Sequence, residues 1–196
     1  MEVDSIALGC APRLDSSIET AFLLAALADR AGDKVHVLAA DSHVRARVSG
    51  VRGPKIIETL ARTFTDISAR LDVTNWSQVA ATVEQTVHHP AFVVIATKIP
   101  PAGMETEFTD ALSRLTERHT VLVASATDPD ELRARRGRAD AEEVFLAASA
   151  ALSQRADEAG AADVRLAGAL TLEASADLLP ARTADRYIEL KKSGRL

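Results

Sequence analysis

Short, almost continuously apolar runs alternate along this chain with longer stretches whose apolar residues recur every three or four positions. Val35–Ala40, Phe92–Ala96, 120–126 and 164–167 are runs of the first kind, too short for stable helices and apolar enough to be strands buried on both sides. Val44, Ala46 and Val48 alternate with Arg45 and Arg47. That period of two predicts a half-exposed edge strand, pairing antiparallel with the preceding one through a turn at Asp41 and Ser42.

The helical stretches carry their own signals. Ser16 and Glu19 have the spacing of a capping box ahead of a helix over 18–28, with Gly32 as its stop. Residues 21–28 are apolar all round, so this helix is predicted to be the most deeply buried. Pro54 suits the first turn of a second helix bearing Ile57, Leu60, Phe64, Ile67 and Leu71. Val79, Val83 and Val87 line a third, which ends before Pro90. Phe108, Leu112 and Leu115 line a fourth, and Val144, Phe145, Ala148 and Leu152 a fifth. Residues 171–179 read as a short sixth helix, and Tyr187, Ile188 and Leu190 dock the last. Strands alternating with helices predict an α/β fold with a largely parallel sheet covered on both faces.

Composition narrows the class. The 196 residues fit one domain, and 47% apolar with 26% charged residues is the balance of a globular protein with a substantial core. A net charge of −5 argues against nucleic acid as the main partner. The single cysteine, Cys10, excludes an intrachain disulfide and a multi-cysteine zinc site. No apolar run reaches the roughly 20 residues that span a bilayer, and no signal peptide opens the chain, so the expected location is the cytoplasm.

Several stretches resemble, in order, the bacterial domain of unknown function 58 family, whose members carry a von Willebrand factor A-like fold. They are Arg13-Leu14-Asp15, Arg30-Ala31-Gly32-Asp33-Lys34-Val35, Val73-Thr74-Asn75-Trp76, residues 118–125, Asp128-Pro129, Asp140-Ala141-Glu142 and the closing helix from Thr183. The resemblance implies one von Willebrand A-like domain over residues 1–196. It also implies a protein-interaction role without catalysis or cofactor, in partnership with a MoxR-type AAA+ ATPase. Family members often carry membrane segments upstream. The chain is therefore expected to be the C-terminal portion of a longer protein, such as the soluble part of a membrane-anchored one, or an unusually short member. A full apolar strand should precede Asp4, so the first central strand is expected to be short, shifted or absent.

In that fold a Mg²⁺ site lies at the carboxyl ends of the central strands, built from Asp-x-Ser-x-Ser, a threonine loop and a late aspartate. The first motif aligns with Asp4-Ser5-Ile6-Ala7-Leu8, which keeps the acid and replaces both ligating serines by hydrocarbon. Thr74 takes the threonine position, and Lys98 stands where the late acid is expected. A hard cation needs several oxygens, and a lysine adds repulsion, so the site is read as degenerate and metal-free. The Lys98 ammonium can instead occupy the cation's place and pair with Asp4. Trp76 and Lys98 are the partner-binding candidates, the ring as an apolar anchor and the lysine as a charge for a partner carboxylate. The alternative for Trp76 is packing over the helix that it begins.

Other constellations are weaker. Asp15-Ser16-Ser17 is explained by capping, and Cys10 by filling apolar space. His36, His43, His88, His89 and His119 read as solvated strand-edge and helix-end residues. The run Arg133, Arg135, Arg136 and Arg138 reads as a solvated connector. No nucleophile elbow or phosphate loop occurs. The competing function is a small-molecule or nucleotide-binding enzyme that uses the cleft at the carboxyl ends of the strands.

Overall fold

A computed structural model of the chain describes residues 7–8, 11–68, 72–127 and 141–196. In chain order the elements are β1 (Ala7–Leu8), β2 (Ala11–Pro12), α1 (Arg13–Arg30), β3 (Val35–Ala40), β4 (Val44–Val51), α2 (Ile56–Phe64), α3 (Trp76–Thr86), β5 (Phe92–Ala96), α4 (Thr106–Thr116), β6 (Thr120–Thr127), α5 (Ala141–Leu166), β7 (Leu170–Ser175) and α6 (Leu179–Lys192). The protein is mixed α/β, with six helices among the described residues. Its strands fall into a β1–β2 pair, an antiparallel β3–β4 hairpin and a parallel three-stranded sheet ordered β5-β6-β7.

The sheet is covered on both faces. From Val121 to Ser125, β6 is buried at every position. Val121 and Val123 pack with Phe108, Leu112 and Leu115 of α4 and Val164 of α5, in a core that also takes Trp76 and Ala80 of α3. The intervening side chains point to the opposite face, where α6 crosses β6 and β7. A second core, sharing no residue with the first, joins Ala25 of α1, Val35, Ala46 and Val48 of the hairpin, and Ile56, Leu60 and Phe64 of α2. The α1–α6 contact and several polar ties hold the two halves together, the Asp33 cluster among them. In that cluster Asp33, just before β3, accepts from the Tyr187 hydroxyl (2.6 Å) and from the Lys191 ammonium of α6.

Five expectations need correction. Residues 164–167 are not a strand but the C-terminal end of α5, which closes on Gly168 at φ +86°. The strand is Leu170–Ser175, which had been given to a short helix. There Leu170, Leu172 and Ala174 alternate with Thr171, Glu173 and Ser175, and that period of two outweighs the apolar content of the helix end. In α2 the buried stripe is Ile56, Leu60 and Phe64, while Ile57 is exposed and the helix stops at Phe64, short of Ile67 and Leu71. Ser16 lies inside α1 rather than capping it, and its buried hydroxyl donates to the Ala176 carbonyl at 2.7 Å. Finally, α1 is not the most buried helix: Ala21, Phe22 and Leu24 are only half-buried.

The expected first central strand, leading into Asp4, lies outside the described residues, and Ala7 and Leu8 form a two-residue strand paired antiparallel with Ala11 and Pro12. No described strand lies between β3 and β5.

Candidate functional site: the cleft between two strand edges

The ends of several elements meet at one edge of the molecule. The Asp41 carbonyl, just past β3, accepts from the Asn75 amide at 2.9 Å. Asn75 caps α3, its side chain accepting from the Gln78 amide at 2.8 Å. Trp76 follows, and its indole N–H donates to Glu105 at the start of α4, 3.1 Å away. Since α4 follows the carboxyl end of β5, this chain of contacts puts the carboxyl ends of β3 and β5 on the same side, so the two strands run parallel. Ser16, in the first turn of α1, reaches the same edge through Ala176, just after β7.

Between β3 and β5 lies a cavity of about 1260 Å³. Both strands line it along their whole length, α1 walls it with Ala21, Leu24 and Ala28, and α3 with Val79 and Val83. Asp41, Thr74, Trp76 and Thr97 stand at its carboxyl end, while Asp33 and His119 stand at the other.

The polar groups at the two ends differ in state. Burial alone would raise the Asp41 pKa, but hydrogen bonds from the His43 amide and the Arg45 guanidinium, both 3.2 Å, outweigh it and hold the carboxyl below its ordinary value. Asp41 is thus a fixed anion facing its own turn. Asp33 behaves alike: burial raises its pKa, and the bonds from Lys191 and Tyr187 bring it below the usual carboxylate range. The same contacts raise Lys191, chiefly through the Asp33 hydrogen bond. His119 has no such support. It is 6% exposed, with neither ring nitrogen hydrogen-bonded among the described residues. Burial, and then the nearby Arg118, push its pKa down.

The structure brings some sequence-derived candidates together and separates others. Thr74 is half-buried at the cleft mouth, and Lys98, one residue beyond Thr97 at the end of β5, is exposed on that edge. Asp4, its postulated partner, lies outside the described residues, as do Cys10 and the 133–138 arginine run. Trp76 is not the open anchor that partner binding asks for. It is 7% exposed, its ring 4.6 Å from that of Phe108, and its one donor is taken by Glu105. The packing alternative describes it. Ser16 and Asp15 are helical and far from an acid-serine cation motif in form. His119 is not a solvated histidine, since the strand that it precedes is a central one. Among the described residues, no group of three or more His, Cys, Asp or Glu could hold a metal ion.

Sequence reasoning missed Asp41 and Glu105. Asp41-Ser42-His43 reads locally as a turn, and Glu105 as one acid among many, because the roles of both depend on α3 arriving between them. The cleft depends on how β3 and β5 are placed in the fold, which local periodicity does not carry. No family model, no curated protein and no solved structure matches this chain. No described helix is long and apolar enough to cross a membrane.

Proposed function

We propose that this chain is a non-enzymatic protein-interaction domain of von Willebrand A-like fold, related to the domain of unknown function 58 family, that recognises its partner without a metal ion. Its partner in this reading is a MoxR-type AAA+ ATPase, docked at the carboxyl edge of the strands. The ordered resemblance along the chain supports the family, and the mixed α/β architecture with a parallel sheet is compatible with the fold. The observation that carries the site is Lys98: an exposed cation stands at the end of β5, beside the mouth of the cleft, where a metal-bearing relative would place an acid.

An exposed lysine can meet a partner carboxylate directly, which is the task of the open coordination position in a metal site. Binding of a purified MoxR-type ATPase, followed by interferometry, tests this. Lys98→Glu is expected to weaken the complex by about tenfold or more, since it replaces attraction by repulsion. Unchanged affinity would remove Lys98 from the interface. Millimolar Mg²⁺ should leave the melting temperature of the free chain where it is, because a ligand that does not bind the folded state cannot stabilise it.

The cleft volume favours one second reading, a small-molecule site between the strands. An apolar ligand bound there would leave the exchange of strand-edge amides unchanged, and that separates it from the inference below.

A further inference from the structure

The cleft is bounded by two strand edges rather than by loops. Thr97 donates its amide to Ala124, and Ala91 accepts at its carbonyl from Thr120, so residues 91 and 97 of the β5 segment face β6. Backbone groups alternate along a strand, so Val93 and Ile95 also face β6. Phe92, Val94 and Ala96 therefore aim their N–H and C=O groups at the cleft. Across it, β3 pairs with β4 on one side only.

The burial pattern shows the same thing independently. Equally apolar runs differ in burial: β6 is buried from Val121 to Ser125, whereas β5 is half-buried at every position and β3 from Val37 to Ala40. The apolar middle of α1 is half-buried too, and Ala21, Leu24 and Ala28 are cleft wall. In β3, β5 and α1 the half-buried positions include residues that line the cavity.

We infer that this cleft is a slot for one added β-strand: an extended, continuously apolar segment of about six residues from a partner protein, lying parallel to β3 and β5. Walled by α1 on one face and α3 on the other, it would be buried on both sides, which requires apolar residues at successive positions. It would satisfy the two edges that no described strand pairs with, and join the hairpin and the sheet into one, with the order β4-β3-strand-β5-β6-β7. The chain's own opening does not meet this description. Ala7 and Leu8 are paired back to Ala11 and Pro12, and Glu2 and Asp4, two apart, would bring two carboxylates to one buried face.

The test is a capped synthetic peptide with a Val-Val-Leu-Val-Val-Leu core flanked by lysines, titrated into the 196-residue chain. Emission from Trp76, the single tryptophan and a cleft-lining residue, is one readout, and residue-resolved amide exchange is the other. The expected result is saturable one-to-one binding, with new protection at Phe92, Val94 and Ala96. Val94→Pro removes a donor on the cleft side while leaving the β6 ladder intact, and Ala21→Phe fills the slot from α1. Each should weaken binding by about tenfold or more. A control peptide with prolines at two core positions should not bind.

Absence of binding to the wild-type chain would overturn the inference. Equal binding of the proline control without amide protection would overturn it in favour of an apolar ligand pocket. A free chain that sediments as a dimer with those three amides already protected would overturn it in favour of a second copy.

Discussion

The two ring nitrogens of His119 are buried without a hydrogen-bond partner among the described residues, so no described protein group accepts a proton carried there. Burial and Arg118 lower its pKa from the ordinary 6.5, with Glu84 opposing. The unfolded chain therefore takes up a proton as the pH falls through about 6.5 while the folded chain does not, and stability must decline below that point. For one proton the slope cannot exceed about 1.4 kcal/mol per pH unit. His36, lowered by burial and by Arg47, adds in the same direction. Urea midpoints at about pH 7.5 and about pH 5.5 should differ less in His119→Leu than in the wild type. An unchanged difference would place the pH sensitivity elsewhere. Asp33 and Asp41, whose pKa values are depressed, act in another window: their contribution is lost only as the pH falls below the ordinary 3.8 and through their folded values. Trp76 makes a second prediction at this scale. Because its ring packs on Phe108 inside the core, Trp76→Ala should cost about 3–5 kcal/mol in chemical denaturation, as a core residue does. A loss near zero would return the ring to the surface.

Among the elements, α5 depends on one glycine. A Cβ at Gly160 would lie 2.1 Å from the Pro100 carbonyl oxygen, which is backbone and cannot swing away. Alanine is the better helix former by about 1 kcal/mol, yet Gly160→Ala is expected to destabilise the protein, because the clash outweighs the propensity. A stabilised variant in urea denaturation would show that α5 does not approach that loop. How far the elements were legible follows the same physics. Val35–Ala40, Val44–Val51 and Phe92–Ala96 were readable because short apolar or alternating runs bounded by turns admit little else. The end of α5 was misread because Val164, Arg165, Leu166 and Ala167 are locally as strand-like as a true strand. What decides them is the helix preceding them and the positive φ at Gly168, which sequence periodicity does not weigh. The site was less legible than the fold. Thr74 and Lys98 lie near the carboxyl ends of β3 and β5, while the burial of Trp76 depends on Phe108 and Glu105, both some thirty residues away.

For the whole molecule, two separate cores meet across a cleft lined by β3 and β5. The halves are linked by the α1–α6 packing, by the tie from Asp33 to Tyr187 and Lys191, and by the Ser16–Ala176 and Asn75–Asp41 hydrogen bonds. The Asp33 tie is partly exposed to solvent, so its ion pair adds little to the coupling. The hairpin half should accordingly open more readily than the β5-β6-β7 half, in which β6 is buried on both faces. The measurement that tests the account most directly is amide exchange of the free chain, resolved along β5. Open edge groups at Phe92, Val94 and Ala96 should exchange fast, while Val93 and Ile95, bonded to β6, exchange slowly, giving an alternating profile within one strand. Uniform protection of all five residues would mean that β5 is already paired on both sides, and the open slot would not exist.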